Sequence, residues 1–503
     1  MEFELKGNYF NGSFVKIETD ALETDTRFVK KLNPSNLGHK LWELPLIYDH
    51  IDAVIESANI GFERWRKTSI DDRIQALRRF QEIAISRETE IATAISLETG
   101  KPMWEAITEA KAIAAKVNVT IEESLPRIKT KNYESILPAT NASVSFKPIG
   151  PSLIIGPFNF PCHLANGQIV NTLLAGNSII FKPSDKTSYC GEILIDCLHQ
   201  ANFPEGVINL IQGDGELARR LLREKSVKGV FFTGSKEVGL KVLKETYQDL
   251  SKLVSLELGG KNPAIVFEDG YSEATVYELL KGCFLTAGQR CTSTSIIALQ
   301  RPLVDKFIEQ FHQLSKNIIV DHPTEFDQEP FMGPLIDQAA VESYLLYIGM
   351  ATREGIEEIM RGKALEKKYP GHYVTPSIHL AQKFDPKSHF LTSEIFGPNA
   401  TIIPFDTKEE AFEIANATEY GLAASIFTKN DQNYQDALME LDFGLINRNR
   451  STVGASSKLP FGGVKNSGNY RPAAVSTIDY SVYQVASLDV LEEKVEIPKG
   501  LKD

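Results

Sequence analysis

Ser152-Leu-Ile-Ile155 is the first of five short apolar runs, which continue with Ser178-Ile-Ile-Phe181, Val207-Ile-Asn-Leu-Ile211, Gly229-Val-Phe-Phe232 and Leu253-Val-Ser-Leu256. Their first residues lie 26, 29, 22 and 24 positions apart, with helical patterns between them. This spacing is the length of a strand plus a crossover helix. The segment therefore predicts a parallel, doubly wound sheet in an α/β fold, with its ligand at the carboxyl ends of the strands.

Residues 46 to 125, before this segment, predict helices. Ser69 is suited to cap one of them, because Asp71 and Asp72 follow in the first turn. The apolar positions of that helix share one face and are Ile70, Ile74, Leu77 and Phe80. Gly100 and Pro102 then interrupt the helical pattern.

Two extended stretches and a second α/β region complete the chain. Residues 133 to 148 alternate polar and apolar side chains, which predicts a hairpin outside the sheet, and residues 480 to 486 form a similar stretch. Residues 259 to 460 predict another α/β region, with strands near residues 264–267, 294–299 and 423–427.

The composition indicates a soluble globular protein. Its 503 residues suggest about three domains, and 54 basic against 66 acidic residues give a net charge of −12. That charge argues against binding to nucleic acid. No window approaches the length of an apolar membrane span, and the N-terminus lacks the features of a signal peptide. We therefore expect no membrane partner.

The cysteines and histidines narrow the compartment and the chemistry. The five cysteines have no paired spacing, which indicates a reducing compartment and a cytoplasmic location. The nine histidines are scattered, so no metal site is expected. The sequence also contains no Gly-x-Ser-x-Gly elbow for serine hydrolysis.

Two glycine-rich motifs are weak signals for nucleotide binding. Gly213-Asp-Gly215-Glu-Leu-Ala218 has dinucleotide-loop spacing, but the next strand ends in Phe232-Thr-Gly-Ser235 rather than in an acidic residue. We interpret it as a turn that opens a helix, with a dinucleotide loop as the alternative. Gly259-Gly-Lys261-Asn262 lacks the remaining residues of a phosphate loop, so a nucleotide triphosphatase is not supported.

Cys291 and Glu257 indicate covalent catalysis. Cys291 lies in Thr286-Ala-Gly-Gln-Arg-Cys-Thr292, where Gly288 permits a tight backbone whose amides can lower the thiol pKa or hold an oxyanion. Taken alone, Cys291 fits a buried structural thiol better than a nucleophile. Glu257, however, ends an apolar strand, where a carboxylate is costly to bury unless it has a task. Together they predict a thiol nucleophile and a carboxylate base.

Seven motifs in a fixed order resemble the aldehyde dehydrogenase superfamily over roughly residues 40 to 490. They are Gly156-Pro-Phe-Asn159-Phe-Pro161, Lys182-Pro-Ser-Asp185, Phe232-Thr-Gly-Ser235-x-x-x-Gly239, Glu257-Leu-Gly-Gly260, Gly288-Gln-Arg-Cys291, Glu394-Ile-Phe396-Gly-Pro398 and Pro460-Phe-Gly-Gly463. The resemblance implies a dinucleotide-binding domain (1–129 and 148–258), a catalytic domain (259–460) and a β oligomerisation arm (130–147 and 478–490). It also implies a homodimer or homotetramer.

The resemblance assigns roles to the three catalytic candidates. Cys291 would attack an aldehyde, and the Asn159 amide with the Cys291 backbone N–H would hold the oxyanion of the thiohemiacetal. Hydride transfer to a nicotinamide would leave a thioester, which water activated by Glu257 would hydrolyse. The expected product is a free carboxylic acid rather than an acyl-coenzyme A or an acyl phosphate.

The cofactor residues that the resemblance implies are Lys182, Ser184, Asp185, Gly234, Ser235, Gly239, Glu394 and Phe396. Asp185 stands where the family more often has glutamate. Its carboxylate would still bind a ribose diol and would repel a 2′-phosphate, so NAD is expected and NADP is the alternative. The Gly234 turn, rather than the Gly213 turn, would hold the pyrophosphate.

Within the superfamily, residues 100–105, 162–167, 331–333, 447–456 and 467–472 resemble the dehydrogenases of N-succinylglutamate 5-semialdehyde in arginine catabolism. Arg448 and Lys261 depart from that group's pattern. The alternatives are a glutamate semialdehyde (1-pyrroline-5-carboxylate) dehydrogenase, a broad-range aldehyde dehydrogenase and, more remotely, a catalytically silent paralogue.

A small anionic aldehyde is the expected substrate of either an N-succinylglutamate 5-semialdehyde dehydrogenase or a glutamate semialdehyde dehydrogenase. Its candidate binding residues are Arg290, Thr292, Arg448, Arg450, Gly454 and Ala455. A salt bridge at the surface or at an interface is the alternative role for either Arg448 or Arg450.

Overall fold

The structure is a computed structural model that describes residues 2–17, 27–491 and 498–501. The strands in chain order are β1 Asn8–Phe10, β2 Ser13–Val15, β3 Phe28–Asn33, β4 Asn36–Pro45, β5 Lys131–Leu137, β6 Thr140–Pro148, β7 Ser152–Ile155, β8 Ile179–Lys182, β9 Ile208–Leu210, β10 Gly229–Thr233, β11 Leu253–Glu257, β12 Asn262–Val266, β13 Thr294–Gln300, β14 Glu357–Met360, β15 Ser377–Leu380, β16 Asn399–Phe405, β17 Tyr420–Gly421, β18 Ala423–Phe427, β19 Leu445–Arg448, β20 Pro460–Phe461, β21 Val464–Lys465, β22 Ala473–Ala474 and β23 Val482–Val490.

The α-helices lie between these strands. In chain order they are α1 Ile51–Trp65, α2 Ile70–Ser86, α3 Glu88–Thr99, α4 Met103–Val119, α5 His163–Ala175, α6 Ser188–Gln200, α7 Gly215–Arg223, α8 Lys236–Thr246, α9 Glu273–Phe284, α10 Val304–Lys316, α11 Gln338–Arg353, α12 His389–Thr392, α13 Lys408–Asn416, α14 Asp431–Glu440 and α15 Thr477–Tyr480. A π-turn at Thr120–Ser124 extends α4.

The first seven-stranded sheet has the order β11-β10-β7-β8-β9-β1-β2. Its five strands from β7 to β11 are parallel, and they are the five predicted from the apolar runs. Their side chains are buried almost throughout, because helices cover both faces of a doubly wound sheet. The antiparallel hairpin β1-β2 at the sheet edge was not predicted.

The second seven-stranded sheet has the order β14-β15-β16-β13-β12-β18-β19 and is parallel except for β14. It contains the three strands predicted for this region, in β12, β13 and β18. The polypeptide passes from β11 of the first sheet to β12 of the second through Leu258-Gly-Gly-Lys261. The carboxyl end of the first sheet therefore leads directly to the second.

The two extended stretches form one three-stranded antiparallel sheet of order β23-β6-β5. Strand β23 pairs with β6 from Val482 opposite Pro148 to Val490 opposite Thr140. The predicted hairpin is therefore confirmed as β5-β6, and all of β5 is exposed. The boundaries predicted for the three domains stay a prediction.

The helical region before the first sheet follows its predicted signals with one exception. The Ser69 hydroxyl caps α2 by accepting a hydrogen bond from the Asp72 amide, and Leu77 and Phe80 are fully buried. Ile70 is 38% exposed, since it is the first helical residue and lies beyond the packed part of the stripe. Gly100 ends α3 in the left-handed conformation, at φ 78°.

The structure also bears on whether the chain could span a membrane or hold a metal ion. No helix within the described ranges has the length and apolar character to cross a membrane. Among the same residues, no group of three or more His, Cys, Asp or Glu side chains is placed to hold a metal ion.

Candidate active site

A sharp turn places Cys291 between the two sheets. Thr286, Ala287 and Gly288 are three consecutive left-handed residues, with φ of 56°, 52° and 69°. Only Gly288 was expected to need a special backbone. It has no room for a side chain, because an added Cβ would lie 2.2 Å from the Gly397 carbonyl oxygen. Such conformations persist in non-glycine residues only where the surroundings hold them.

Glu105, from α4, holds this turn. Its buried carboxylate accepts hydrogen bonds from the Thr286 amide (3.2 Å) and the Thr286 hydroxyl, and it forms an ion pair with Arg290. The Arg290 Nε also donates to the Thr286 hydroxyl at 2.8 Å. Arg290 is therefore committed to an ion pair beside Cys291, and its guanidinium also lies over the Phe160 ring, 5.0 Å from the centroid.

Asn159 lies against the same turn. Its Nδ2 donates one hydrogen bond to the Gln289 carbonyl oxygen at 2.9 Å, and the side chain is buried. An amide nitrogen carries two hydrogens, so one bond fixes the group while the second hydrogen is available to an oxyanion. The Cys291 carbonyl is held in turn by Asn262 Nδ2 at 2.8 Å.

The Cys291 thiol differs from the other four cysteines. Cys162, Cys190, Cys197 and Cys283 are buried, whereas Cys291 is partly exposed. The pKa of Cys291 is raised to about 12, chiefly because the thiol is removed from water and also because the Glu394 and Glu257 carboxyls are near. Arg290 opposes this rise. The resting thiol is therefore protonated.

Glu257 ends β11 and is almost completely buried. Its Oε1 accepts a hydrogen bond from the Ala473 amide at 3.0 Å, and its buried Oε2 has no hydrogen-bond partner within the described part of the chain. Burial raises the pKa of Glu257 well above its ordinary value, against the lowering effect of the Ala473 amide. Burial therefore favours the neutral form of this carboxyl, and one of its oxygens has no partner among the described residues.

The predicted cofactor residues at the first sheet lie at the carboxyl ends of its strands. Lys182 ends β8, and its Nζ donates to the Pro183 carbonyl at 3.0 Å; burial lowers its pKa. Ser235 caps α8 by accepting from the Val238 amide at 3.3 Å. The Gly234 amide donates to the Glu257 carbonyl at 3.0 Å, and Gly239 packs so closely on Leu258 that a Cβ would lie 2.6 Å from it.

The other predicted cofactor residues flank this edge. Glu394 accepts a hydrogen bond from the Gly260 amide at 3.0 Å, and burial raises the pKa of Glu394 to about 7. Phe396 is left-handed (φ 51°), and its ring meets Phe158 edge-on with the centroids 5.8 Å apart. The Ser184 hydroxyl accepts from the Lys186 amide at 3.2 Å, and Asp185 beside it is partly exposed.

The competing glycine motif opens α7, as the helix-opening interpretation predicts. Asp214 caps this helix by accepting hydrogen bonds from the Glu216 and Leu217 amides at 3.1 and 3.2 Å. The Tyr48 hydroxyl also donates to Asp214. A carboxylate on the first-turn amides repels a phosphate there, whereas α8 begins with a neutral hydroxyl.

Cys291 opens onto a cavity of about 300 Å³ between α4, α5 and the loop after β19. Five of the predicted catalytic and substrate residues line it and are therefore brought together: Arg290, Cys291, Thr292, Gly454 and Ala455. Gly454 is left-handed, at φ 81°, which turns the loop along the cavity wall.

The other two predicted arginines do not line this cavity. Arg448 pairs with Asp431 at 2.6 Å and donates to the Lys429 carbonyl at 3.0 Å. Arg450 donates to the Gly454 carbonyl at 2.6 Å. Both guanidinium groups stabilise the loop around them, because acceptors close in sequence satisfy them.

Sequence reasoning missed one wall of the cavity, which is a face of α4. The residues of α4 that line it are Glu105, Thr108, Glu109, Ala112 and Lys116. They follow helical spacing, and three of them carry a charge. Charged side chains at the buried positions of a helix rich in alanine and isoleucine were the available signal. His163 and Gln168 of α5 complete this side.

Known proteins resemble this chain over nearly its whole length. The sequence pattern of the aldehyde dehydrogenase family matches residues 22–484. An N-succinylglutamate 5-semialdehyde dehydrogenase of Legionella pneumophila is 36% identical over 491 residues, covering 96% of this chain and 95% of that protein. A protein of the same name from Vibrio cholerae is 33% identical over 443 residues, covering 88% and 89%.

Solved structures share the whole architecture. An NAD-dependent aldehyde dehydrogenase from Sinorhizobium meliloti superposes with a TM-score of 0.90 at 26% identity, covering 98% of this chain and 96% of that one. A 1-pyrroline-5-carboxylate dehydrogenase from Thermus with bound NAD gives a TM-score of 0.86 at 25% identity, covering 96% and 92%. The chain belongs to the aldehyde dehydrogenase family.

Proposed function

We propose that the protein oxidises N-succinylglutamate 5-semialdehyde to N-succinylglutamate with NAD. The aldehyde loses two electrons, water supplies the second oxygen, and the products are the carboxylic acid, NADH and a proton. The observation that carries the chemistry is the arrangement of Cys291 on the cavity with Asn159 against its turn and Glu257 near it. The names of relatives 33% and 36% identical along nearly the whole chain support the substrate.

The edge of the first sheet fits a dinucleotide. Lys182 and Asp185 would hold ribose hydroxyls, Ser235 and the first turn of α8 would hold the pyrophosphate, and Glu394 would hold the nicotinamide ribose. The fit rests on the neutral cap of α8 and on the buried Lys182 ammonium, whose protein acceptor is one carbonyl. NAD, when bound, supplies the acceptor for the hydride. The Asp185 carboxylate favours NAD over NADP, because it would repel a 2′-phosphate.

The first bond is made by Cys291. The Cys291 thiol releases its proton to solvent, the resulting thiolate attacks the aldehyde carbon, and the carbonyl oxygen becomes an oxyanion. The second Nδ2 hydrogen of Asn159 and the Cys291 backbone N–H would stabilise that charge, and each such donor contributes about 3 to 4 kcal/mol to lowering a barrier. Oxidation leaves the acyl group on Cys291 as a thioester.

Glu257 would then act on water. As a carboxylate it takes a proton from a water molecule whose oxygen attacks the thioester carbon. The carbon–sulfur bond breaks, the thiolate of Cys291 is restored and the acid leaves. A carboxylate at this position favours a free acid over transfer to another acceptor.

The same proposal covers the assembly and the location of the protein. We place the three-stranded sheet of β5, β6 and β23 at an interface of a homodimer or homotetramer, because the whole of β5 is exposed. The free state of all five cysteines supports a cytoplasmic location.

A substrate comparison tests the proposal. We expect kcat/KM, measured by NADH formation, to be at least about tenfold higher for N-succinylglutamate 5-semialdehyde than for free glutamate 5-semialdehyde. A tenfold preference for the free form would favour the pyrroline-5-carboxylate reading, which the Thermus structure makes the competing one. Absence of NADH formation with every aldehyde would favour a silent paralogue. Cys291→Ala should abolish turnover and leave NAD binding intact.

A further inference from the structure

Lys116 stands out among the cavity residues. It lies on α4, is 1% exposed and lines the same cavity as Cys291. Its Nζ is buried and has no hydrogen-bond partner within the described residues. The proposed mechanism does not use this residue.

The acidic side chains of the same helix do not neutralise Lys116. Glu109 pairs with Lys101 at 2.5 Å, and its other oxygen accepts from the Cys162 and His163 amides. Glu105 pairs with Arg290. The carboxylates on this wall therefore have partners, and the ammonium of Lys116 has no matching anion among the residues that the structure describes.

His163, on α5, faces the cavity next to Lys116. Its Nδ1 is buried without a partner in the described part of the chain, and its pKa is lowered by burial and, in part, by Lys116. A neutral imidazole does not supply the missing negative charge. Burial alone also lowers the pKa of Lys116 to about 8, so most of the lysine stays protonated at neutral pH and keeps its desolvation penalty.

An unpaired buried ammonium is costly for the free protein, and an anion that enters the cavity removes that cost. We propose that Lys116 binds the distal carboxylate of the substrate, which makes it the residue that selects an aldehyde carrying a succinyl group. This inference rests on the proposed function and names the group responsible for its specificity. The sequence had placed Arg448 and Arg450, but not Lys116, among the candidate substrate-binding residues.

The length of the substrate agrees with this placement. Lys116 lies 11 residues after Glu105 on α4, which corresponds to about 16 Å along the helix axis. Glu105 marks the end near Cys291 through its ion pair with Arg290. N-succinylglutamate 5-semialdehyde spans about 10 Å from aldehyde to distal carboxylate when extended, and the bonds to sulfur and ammonium add a few ångströms.

Lys116→Met tests the inference, because it keeps the length of the side chain and removes its charge. For N-succinylglutamate 5-semialdehyde we expect KM to rise about 10- to 100-fold, with kcat within about threefold of wild type. The matched control is Lys111→Met, which removes the same charge from the exposed face of the same helix. It should leave both constants unchanged. A Lys116→Met enzyme with unchanged KM would overturn the inference.

A second pair of substrates separates this inference from the proposed function. 9-Oxononanoate and nonanal have the same chain length and differ in the distal carboxylate, which in 9-oxononanoate lies as many bonds from the aldehyde carbon as the succinyl carboxylate does in the proposed substrate. Lys116→Met should lower kcat/KM for 9-oxononanoate and leave that for nonanal unchanged or higher, whichever semialdehyde the wild-type enzyme prefers. Equal losses for both would mean that Lys116 supports the fold only, and would overturn the inference.

Two further readouts do not depend on the variant's activity alone. The wild-type ratio of kcat/KM for 9-oxononanoate over nonanal should fall as pH rises through about 8, because Lys116 loses its proton, and the ratio removes the titration of Cys291. The ratio for Lys116→Met should not change over the same range. The variant's Tm should also be equal to or above that of wild type without substrate, since an unpaired buried charge is gone. A lower Tm would contradict the account.

Discussion

The surroundings of Glu257 favour one protonation state, whereas the proposed reaction needs the other. It is buried, its Oε2 lacks a partner in the described chain, and its pKa is raised well above the ordinary value by burial. The proposed hydrolysis needs the ionised form. The residue therefore serves as a base only after it loses a proton that its surroundings favour.

Glu257→Gln should separate the two half-reactions. We expect steady-state turnover to fall about 10²- to 10⁴-fold, because the general base is lost, while a stoichiometric burst of NADH remains. Rapid mixing measures the burst, and mass spectrometry detects the acyl group on Cys291. A loss of burst and turnover together would instead place Glu257 before the oxidation step.

The stability of Glu257→Gln relative to wild type should depend on pH. Because the folded pKa of Glu257 lies above its unfolded pKa, wild type loses stability as pH rises from the unfolded value toward the folded one, by up to about 1.4 kcal/mol per unit. Gln does not titrate. The difference in free energy of unfolding between Glu257→Gln and wild type should therefore shift in favour of the variant as pH increases from 5 to 8, as measured by urea denaturation. A difference independent of pH would contradict the assigned burial effect.

At the scale of elements, α4 and the left-handed turn before Cys291 act together. Thr286 and Ala287 hold a backbone conformation that costs about 1 kcal/mol or more per residue outside glycine. Glu105 reaches this turn from α4 through three polar contacts. The position of the nucleophile therefore depends on a helix nearly 200 residues earlier in the chain.

Glu105→Gln should lower kcat without removing cofactor binding. It keeps the shape of the side chain but loses the charge that pairs with Arg290, so the turn loosens and Cys291 is less well oriented. We expect a fall of about 10- to 100-fold in kcat, with the Kd for NAD within about twofold of wild type by fluorescence titration. Glu122→Gln, an exposed position just after α4, is the control and should behave as wild type. An unaffected kcat in Glu105→Gln would show that the turn holds without this ion pair.

At the scale of the whole molecule, the proposed active site lies where two large sheets meet, and the third sheet has an exposed strand, β5. The link from β11 to β12 puts Glu257 at the meeting point of the two large sheets. The hairpin of β3 and β4 also contacts the second α/β region. The Leu37 amide donates to the Pro370 carbonyl, and the Tyr373 hydroxyl donates to the Ser35 carbonyl. Strand β5 instead points its apolar side chains outward.

Charged substitutions on β5 test the proposed assembly. Ile136 and Leu137 are 51% and 52% exposed, so Ile136→Lys with Leu137→Lys should weaken an interface and leave the fold of one subunit intact. Light scattering coupled to gel filtration should show a lower mass, with an unchanged circular dichroism spectrum. Ile85→Lys, an equally exposed position on α2, should keep the wild-type mass. If the wild-type protein is a monomer in this measurement, the sheet of β5, β6 and β23 is not an oligomerisation arm.

The sequence by itself determined the parallel strands of the first sheet, the β5-β6 hairpin and the candidates Cys291, Glu257 and Asn159. These features depend on local patterns, namely strand spacing, alternation and short motifs, which are written along the chain. Only the tertiary structure determined which of the arginine and lysine side chains near the site have a hydrogen-bond or ion-pair partner. Arg448 and Arg450 bind acceptors near them in the sequence, whereas Lys116 lies buried on the cavity without an acceptor in the described part of the chain. Whether a buried charge has a partner depends on how separate helices, strands and loops pack around it, and residue spacing along the sequence does not encode that packing.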